Sequence, residues 1–439
     1  MNETLNSSLD PSLDPEGAPA LIQAHIDHGR LAEGEALART VLDQFPAHYP
    51  VLLALGGILE RTARGEEAVA VYERASAVNP GSGRAFTRRA VILLRRHWGA
   101  APAPRAPAPD RRIMCSALGT YGRFANQLLQ YAMTRLYAED HGLTAEFTDW
   151  IGRDLFGFDD PLLGAPLPEL SEKDADLLGA LSGRDNRDLA GRDLWGYFQK
   201  DSRDFAGHRD RFRRLFTPRP ELAAVTEGWR AKLNAGGRPL VALHLRRGDF
   251  VTNRLWTAPE DWYLAWLAAL WPRLERPLLY IATDDPGVVA AFKDYAPVTA
   301  DALGALLPGA EFYADFHILT QATHLAISNS SFSFVAAMLN QRGEAFVRPD
   351  QDARALVSFD PWNAPITLAQ DPTVTEGEGL ARQILDAIPD HLPAMMELGA
   401  ILEAKGASGE ALGLYERAIA AHPHAPEPRA RRAAIAARR

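Results

Sequence analysis

The middle of the chain alternates short apolar runs with longer segments of helical periodicity. From about residue 112, RRIMCSAL predicts a strand, GTYGR a glycine turn, FANQLLQYAMTRLYAEDHG an amphipathic helix with a glycine cap, and LTAEF a second strand. From about residue 236, strands are predicted at PLVALHL, LLYIA and LAIS, and helices at DWYLAWLAALWPRL, PGVVAAFKDYA, DFHILTQATH and the end of NSSFSFVAAMLN. Strands that alternate with helices form parallel βαβ units. This region is therefore predicted to form two doubly wound α/β lobes with a cleft between them.

Two segments near the ends of the chain are related to each other. VLLALGGILERTARGEEAVAVYERASAVNP (51–80) aligns without a gap with AMMELGAILEAKGASGEALGLYERAIAAHP (394–423). The spacing of Leu-Gly, alanine, tyrosine and a proline that recurs after 34 residues resembles the tetratricopeptide repeat, in which small residues let paired helices approach closely. Each flank holds about two repeats, fewer than the roughly three that a free-standing solenoid needs. We therefore expect the flanks to pack against the middle region, each other or a second chain.

The expected domain boundaries follow from these patterns and from a Pro/Ala-rich stretch, GAAPAPRAPAPD. They are helical repeats over 15–98, a linker over 99–111, an α/β region over 112–367 whose lobes meet near 235–236, and helical repeats over 368–439.

Each predicted strand of the second lobe is followed by a polar cluster. The clusters are Arg246, Arg247 and Asp249 after the first strand, Thr283, Asp284 and Asp285 after the second, and Ser328–Ser333 after the third. Guanidinium groups match phosphate geometry, and the start of a helix offers N–H donors to an anion. Since open α/β sheets bind ligands at the carboxyl ends of their strands, the clusters predict a site for a phosphate-bearing ligand. Taken singly, each could instead be a salt-bridged turn or a helix cap.

Composition excludes several other classes of protein. The net charge of −9 and the pI near 5.8 argue against non-specific nucleic-acid binding. Cys115 is the only cysteine, so no intrachain disulfide can form, which suits a reducing cytoplasm. The amino terminus lacks a signal-peptide pattern, and no apolar run reaches about 18 residues, the length that would suggest a membrane span. We expect a cytoplasmic protein, with peripheral association at the inner face of the membrane as an alternative.

Several segments of the middle region resemble signature segments of the α-1,2-fucosyltransferases. They are HLRRGDF (244–250), ATDDP (282–286), DFHILTQATHLAISNSSFSFVAAMLN (315–340), GRFANQLLQYA (122–132) and LWGYFQKDSRDF (194–205). The H-x-R-R-x-D pattern is shared with α-1,6- and protein O-fucosyltransferases and alone indicates only fucosyl transfer. The resemblance implies a GT-B fold and inverting transfer of L-fucose from GDP-β-L-fucose to O2 of a galactoside in a glycan.

The resemblance also implies roles for individual residues. On the donor side, Arg246 would bind the β-phosphate and neutralise the GDP leaving group, and Arg247 and Asp249 would support the loop that carries Arg246. His244 and Asp284 would contact the guanosine. The diphosphate would be lined by Asn329, Ser330 and Ser331. Asn126 and Gln127 would face the acceptor cleft from the first lobe. No metal or other cofactor is expected, because Arg246 supplies the charge that a metal would otherwise bring. The competing interpretation makes Asp284 and Asp285 metal ligands.

Departures from the family pattern leave the acceptor and the base open. Ala125 replaces a usual glycine, and Phe334-Val335 replaces two usual tryptophans. The related α-1,6 enzymes place a glutamate where this chain has Arg254, and the nearby candidates for a base are Asp249, Glu260 and Asp261. The expected acceptor is a galactose-containing glycan, on a lipid-linked unit or on a protein partner that the repeats bind. Self-association through the repeats, a different GDP-sugar donor and a non-catalytic repeat scaffold are the alternatives.

Overall fold

A computed structural model describes residues 15–106, 111–233, 237–247, 257–368, 381–382, 385, 391–404, 407–422 and 426–436. These residues form two compact units. The first contains the described residues up to Leu245 together with Glu260–Thr283 and Gly287–Thr367. The second contains Arg246 and Arg247, residues 257–259, Asp284–Pro286 and the described residues that follow Thr367.

The first unit begins with paired helices. They are α1 (Ala18–Asp27), α2 (Leu31–Gln44), α3 (Tyr49–Arg61), α4 (Gly65–Val78) and α5 (Gly83–Trp98). A Cβ atom on Gly56 would lie 2.5 Å from the ring of Tyr72, so this position on α3 needs a glycine for α4 to pack as closely as it does. The hydroxyl of Tyr72 donates to Glu60 at 2.6 Å. The close approach of small and aromatic residues predicted for these repeats is therefore present.

The second unit repeats this packing in α16 (Leu392–Ala404) and α17 (Ser408–Ala421), which are followed by α18 (Pro426–Ala436). A Cβ atom on Gly399 would lie 2.5 Å from the ring of Tyr415, whose hydroxyl donates to Glu403 at 2.7 Å. The two related segments of the sequence thus build the same local structure.

The first α/β lobe is a parallel sheet with the strand order β2-β1-β4-β3. Its strands are β1 (Arg112–Cys115), β2 (Thr144–Phe147), β3 (Glu169–Ser171) and β4 (Asp193–Trp195). Its helices are α6 (Phe124–His141), α7 (Ile151–Phe156), α8 (Leu177–Ser182), α9 (Arg203–Ala206), α10 (Arg209–Leu215) and α11 (Pro220–Leu233). The long helix α6 ends at Gly142, whose left-handed conformation is the predicted cap. Cys115 is fully buried, and burial raises the pKa of its thiol to about 12.

The second lobe is a sheet with the strand order β6-β5-β7-β8-β9, parallel except for the antiparallel edge strand β9. Its strands are β5 (Leu240–Leu245), β6 (Leu278–Thr283), β7 (His324–Ala326), β8 (Ala345–Asp350) and β9 (Ala355–Ser358). Its helices are α12 (Glu260–Leu270), α13 (Ala300–Leu303), α14 (Tyr313–Leu319) and α15 (Ser331–Leu339). Every residue of β5 is buried, as expected of a central parallel strand. Two parallel α/β sheets with helices at both ends of the chain confirm the predicted fold class.

Two of the helices predicted from the sequence have a different form in the structure. Pro286–Tyr295 forms a 3₁₀ helix rather than an α-helix. Gly287 and two consecutive valines follow its proline, and these residue types have low α-helical propensity. The helix predicted at DFHILTQATH ends at Leu319, and His324 begins strand β7 instead. Among the described residues, no helix is both long and apolar enough to cross a membrane.

Helix α5 binds the first α/β lobe through buried charge. Arg95 donates to Asp149 at 2.9 Å and to Asp154 at 2.9 Å, and the Asp154 side chain is only 1% exposed. Arg88 adds a contact of 3.2 Å to Asp149. Burial raises the pKa of Asp154, and the bonds from Arg95 oppose that shift. Removal of Arg95 would therefore leave a buried carboxyl group without this partner.

The same helix also contacts the second lobe. Arg89 forms two hydrogen bonds of 3.1 Å with the carboxylate of Glu311, in the fork geometry typical of arginine–carboxylate pairs. The rings of Phe86 and Phe312 lie 5.3 Å apart. The amino-terminal repeats therefore pack against both lobes of the middle region, which is one of the three arrangements that the sequence left open.

Candidate functional site

His244 is the penultimate residue of β5 and is only 4% exposed. Its Nδ1 lies 2.8 Å from the hydroxyl oxygen of Ser328 and 2.8 Å from that of Ser333. The ring of Phe332 lies 5.2 Å from the imidazole ring. The orientation of His244 is thus fixed by Ser328, in the segment that joins β7 to α15, and by Ser333, within α15.

That segment is largely buried and caps α15. Asn329 and Ser330 are 4% and 5% exposed, and Ser330 is the N-cap residue, whose hydroxyl accepts from the N–H of Phe332 at 3.3 Å. Ser331 donates its hydroxyl to Oδ1 of Asn126 at 2.8 Å. Backbone N–H groups at the start of a helix can receive an anion, but here the hydroxyls of Ser330 and Ser331 already have bonds within the protein.

Asn126 and Gln127 have different surroundings, although the sequence placed both at the cleft. Asn126 is half-buried at the first turn of α6 and joins the two lobes through Ser331. Gln127 is fully buried, and its amide nitrogen donates to Thr87 at 2.8 Å and to the carbonyl of Gly122 at 3.1 Å. The expectation that Gln127 faces the cleft was wrong. Consecutive helical residues point in different directions, and Gln127 points towards α5.

Arg246, Arg247 and Asp284 form a hydrogen-bonded group in the second unit. The guanidinium of Arg246 lies 3.0 Å from Oδ2 of Asp284, whose Oδ1 accepts from the backbone N–H of Arg247 at 2.7 Å. The side chain of Arg247 donates to the carbonyl of Ala258 at 2.8 Å. The side chains of Arg246 and Asp284 are 18% and 25% exposed. Asp284 therefore positions Arg246 and the backbone beside it.

The remaining predicted residues are less informative. Asp249 and Arg254 lie outside the described residues. Glu260 and Asp261 occupy the first turn of α12. Phe334 and Val335, which stand where the family usually has tryptophans, are fully buried and cannot present a surface to an acceptor. Within the described ranges, no group of three or more His, Cys, Asp or Glu side chains could hold a metal ion.

The sequence interpretation missed a polar and aromatic group at the carboxyl edge of the first sheet. Asp193 accepts from the backbone N–H of Ser116 at 2.9 Å and from its hydroxyl at 2.6 Å. The indole N–H of Trp195 donates to the same hydroxyl at 3.0 Å. The signal that could have identified this edge was the aromatic residues beside glycine in GTYGR, which lies between β1 and α6, and in LWGYF, which contains the end of β4.

Comparison with known proteins gives family models for the two flanks and distant matches among solved structures. No curated protein matches the chain. A crystal structure of NodZ α-1,6-fucosyltransferase co-crystallised with GDP is 14% identical, with 58% of this chain and 99% of that chain covered and a TM-score of 0.38. A structure of fucosyltransferase NodZ from Bradyrhizobium is 13% identical over the same shares, with a TM-score of 0.40. The P58(IPK) TPR domain is 10% identical over 97% of this chain and 98% of that chain, with a TM-score of 0.19.

Family models of the tetratricopeptide repeat match residues 25–90 and 375–426. Both matches fall on segments that the sequence predicted to be helical repeats, and in both a tyrosine packs over a helix glycine. The two flanks of this chain are tetratricopeptide repeats.

Proposed function

We propose that the middle region is a GT-B glycosyltransferase that moves L-fucose from GDP-β-L-fucose, with inversion, to O2 of a galactoside. The observation that carries the proposal is Arg246, which directly follows a buried parallel strand and is held by Asp284. It lies in HLRRGD, the segment that most resembles the fucosyltransferases. An arginine already held in one orientation loses little side-chain conformational entropy when it binds a phosphate.

In the proposed reaction, Arg246 binds the β-phosphate of the donor. Breaking the bond between fucose and the phosphate oxygen leaves negative charge on GDP, and a guanidinium aimed at that oxygen lowers the barrier. Asp284 keeps the guanidinium in place. The resemblance to the fucosyltransferases gives Arg247 and Asp249 the role of supporting that loop. Asp284 contacts the guanosine in addition, because a carboxylate matches the N1–H and N2 donors of guanine.

Further donor contacts are proposed for His244, Asn329, Ser330 and Ser331. His244 faces the guanosine, and its orientation follows from its bonds to Ser328 and Ser333. Asn329, Ser330 and Ser331 line the diphosphate at the start of α15, where the helix dipole favours negative charge. Asn126 contacts Ser331 and stands on the acceptor side. The site needs no metal, since arginine keeps its charge at every physiological pH.

We further propose that the acceptor is a galactose-containing glycan on a lipid-linked unit, assembled at the inner face of the membrane. The tetratricopeptide repeats would then recruit a protein partner or a second copy of the chain. A protein-linked acceptor is the second candidate, because such repeats are typical protein-binding surfaces.

The donor is tested by calorimetric titration of the full-length protein with GDP, followed by release of GDP from GDP-fucose, GDP-mannose and GDP-glucose. We expect GDP to bind and GDP-fucose to be turned over at least about tenfold faster than the other donors. Faster turnover of GDP-mannose would support a transferase whose donor sugar is mannose rather than fucose. Absence of GDP binding would contradict the transferase proposal and favour a non-catalytic repeat scaffold.

A further inference from the structure

Three aromatic side chains form a cluster at the carboxyl edge of the first sheet. Tyr121 lies in the connection from β1 to α6, Trp195 ends the neighbouring strand β4, and Tyr197 follows it. The rings of Tyr121 and Tyr197 stack with centroids 4.0 Å apart, and the ring of Trp195 lies 6.2 Å from Tyr121. All three side chains are half-buried. Tyr121, Trp195 and Tyr197 are called the aromatic platform below.

The backbone beneath the aromatic platform is held by one carboxylate. Glu172 accepts hydrogen bonds from the N–H groups of Tyr197 at 2.6 Å and Phe198 at 3.0 Å. A Cβ atom on Gly196 would lie 2.6 Å from the carboxyl carbon of Glu172, so only glycine allows this approach. The order Gly-Tyr-Phe therefore has a local reason, because Glu172 requires glycine at 196 and binds the backbone N–H groups of Tyr197 and Phe198.

Phe198 carries backbone strain at this point. It is fully buried, and its φ of 52° lies in the left-handed region that bulky residues rarely adopt. Such strain costs on the order of 1–3 kcal/mol and persists only where the surroundings enforce it, often at ligand sites. Here Glu172 binds the backbone N–H groups of both Tyr197 and Phe198, and the ring of Tyr197 stacks on Tyr121.

The aromatic platform adjoins the proposed donor site within the first unit. Gly122 follows Tyr121, and a Cβ atom there would lie 2.7 Å from the ring of Tyr197 and 2.8 Å from Cβ of Asn126. Asn126 in turn accepts the hydroxyl of Ser331 at the start of α15. A ligand on the aromatic platform would thus lie on the first-lobe side of the segment proposed to line the diphosphate.

We propose that the aromatic platform binds the acceptor sugar, by stacking on the apolar face of a β-galactoside. This inference rests on the proposed function and assigns it an acceptor subsite. A β-galactopyranose carries the hydrogens of C1, C3 and C5 on one face, which forms an apolar patch that suits the face of an aromatic ring. Stacking supplies binding without charge, so it does not compete with the arginine that serves the diphosphate. Asn126 offers an amide at the edge of the sugar, and Glu172 is a positioning residue.

Binding is measured by saturation-transfer NMR with methyl β-galactoside and lactose, in the absence of donor. We expect Tyr197→Ala to weaken galactoside binding and to raise the acceptor KM on the order of tenfold, the scale of one aromatic stacking contact. GDP affinity and GDP release from the donor without acceptor should remain unchanged. Tyr197→Phe should retain binding because it keeps the ring, and it guards against a folding defect in the alanine variant.

Two further variants complete the test. Glu172→Gln should raise the acceptor KM while leaving kcat at saturating acceptor near wild type, since it moves the aromatic platform and not the donor groups. Tyr295→Ala is the matched control, because Tyr295 is also half-buried and packs on another aromatic ring, Trp271, at 5.0 Å.

The outcomes separate this inference from the proposed function. If GDP binds but Tyr197→Ala behaves like Tyr295→Ala, the aromatic platform is not the acceptor site and the donor proposal stands. If GDP fails to bind while Tyr197→Ala still abolishes galactoside binding, the aromatic platform stands as a sugar site and the transferase proposal fails. If the wild-type protein does not bind galactosides, the proposed role of the aromatic platform as the acceptor site is wrong.

Discussion

Arg246→Lys is expected to lower kcat on the order of 100-fold or more, although the net charge is unchanged. Lysine keeps a positive charge but loses the planar fork of donors, and it cannot reproduce the contact of 3.0 Å to Asp284 together with a phosphate contact. The size of the loss follows from removal of one preorganised donor to a developing charge. Steady-state kinetics with GDP-fucose and a β-galactoside measure it.

Arg238→Lys is the matched control for this substitution. Arg238 precedes the opposite end of β5, and its guanidinium donates to the carbonyls of Arg276 at 2.8 Å and Pro277 at 2.9 Å. Its replacement should leave kcat within about twofold of wild type, since Arg238 lies at the end of the strand opposite Arg246 and its guanidinium contacts backbone carbonyls. A near-normal kcat in Arg246→Lys would mean that HLRRGD is a salt-bridged turn with no part in the chemistry.

Arg95→Ala is expected to destabilise the first unit by about 3 kcal/mol. The substitution leaves the carboxyl group of Asp154, whose side chain is 1% exposed, without its arginine, and breaking a buried ion pair costs roughly 3–5 kcal/mol. The lower end applies because the side chain of Arg95 is 29% exposed. It also removes a contact between the amino-terminal repeats and the first lobe. Urea denaturation followed by tryptophan fluorescence measures the change.

The neighbouring residue supplies the control for Arg95. Arg96 pairs with Glu66 at 3.6 Å, with side chains that are 50% and 88% exposed, so Arg96→Ala should change stability by less than about 0.5 kcal/mol. Adding Asp154→Ala to Arg95→Ala should recover part of the lost stability, because the uncompensated charge is gone. Equal midpoints for Arg95→Ala and Arg96→Ala would show that α5 does not depend on this buried pair.

Local pattern was enough to predict part of the middle region, namely strands β1, β2, β5, β6 and β7 and helices α6, α12, α14 and α15. Strands β3, β4, β8 and β9 and the other helices described in this region were not predicted. Strand β5 is a continuous apolar run, and α6 combines helical periodicity with a glycine cap, so both signals lie within the element itself. The 3₁₀ helix Pro286–Tyr295 was misread because its apolar spacing alone does not separate it from an α-helix. The repeats were found because the chain contains two copies to compare.

Side-chain roles that depend on distant partners could not be predicted in this way. Gln127 was assigned to the cleft because it adjoins Asn126, but its partner Thr87 lies 40 residues earlier in the chain. Glu172 carries no local motif, and its importance follows from two N–H groups that lie 25 and 26 residues later. The contact between Arg246 and Asp284 has a simple origin, because parallel pairing sets Leu245 opposite Thr283 and these residues directly follow the two strands.

We have proposed that an arginine-based site transfers fucose from a GDP-linked donor to O2 of a galactoside. The most direct measurement incubates the EDTA-treated full-length protein with GDP-fucose and lactose, and determines the linkage of the product by NMR. We expect an α-1,2-linked fucosyl galactoside, formed at nearly the rate seen without EDTA. Loss of turnover that magnesium or manganese restores would contradict it, as would a product that carries fucose at another position.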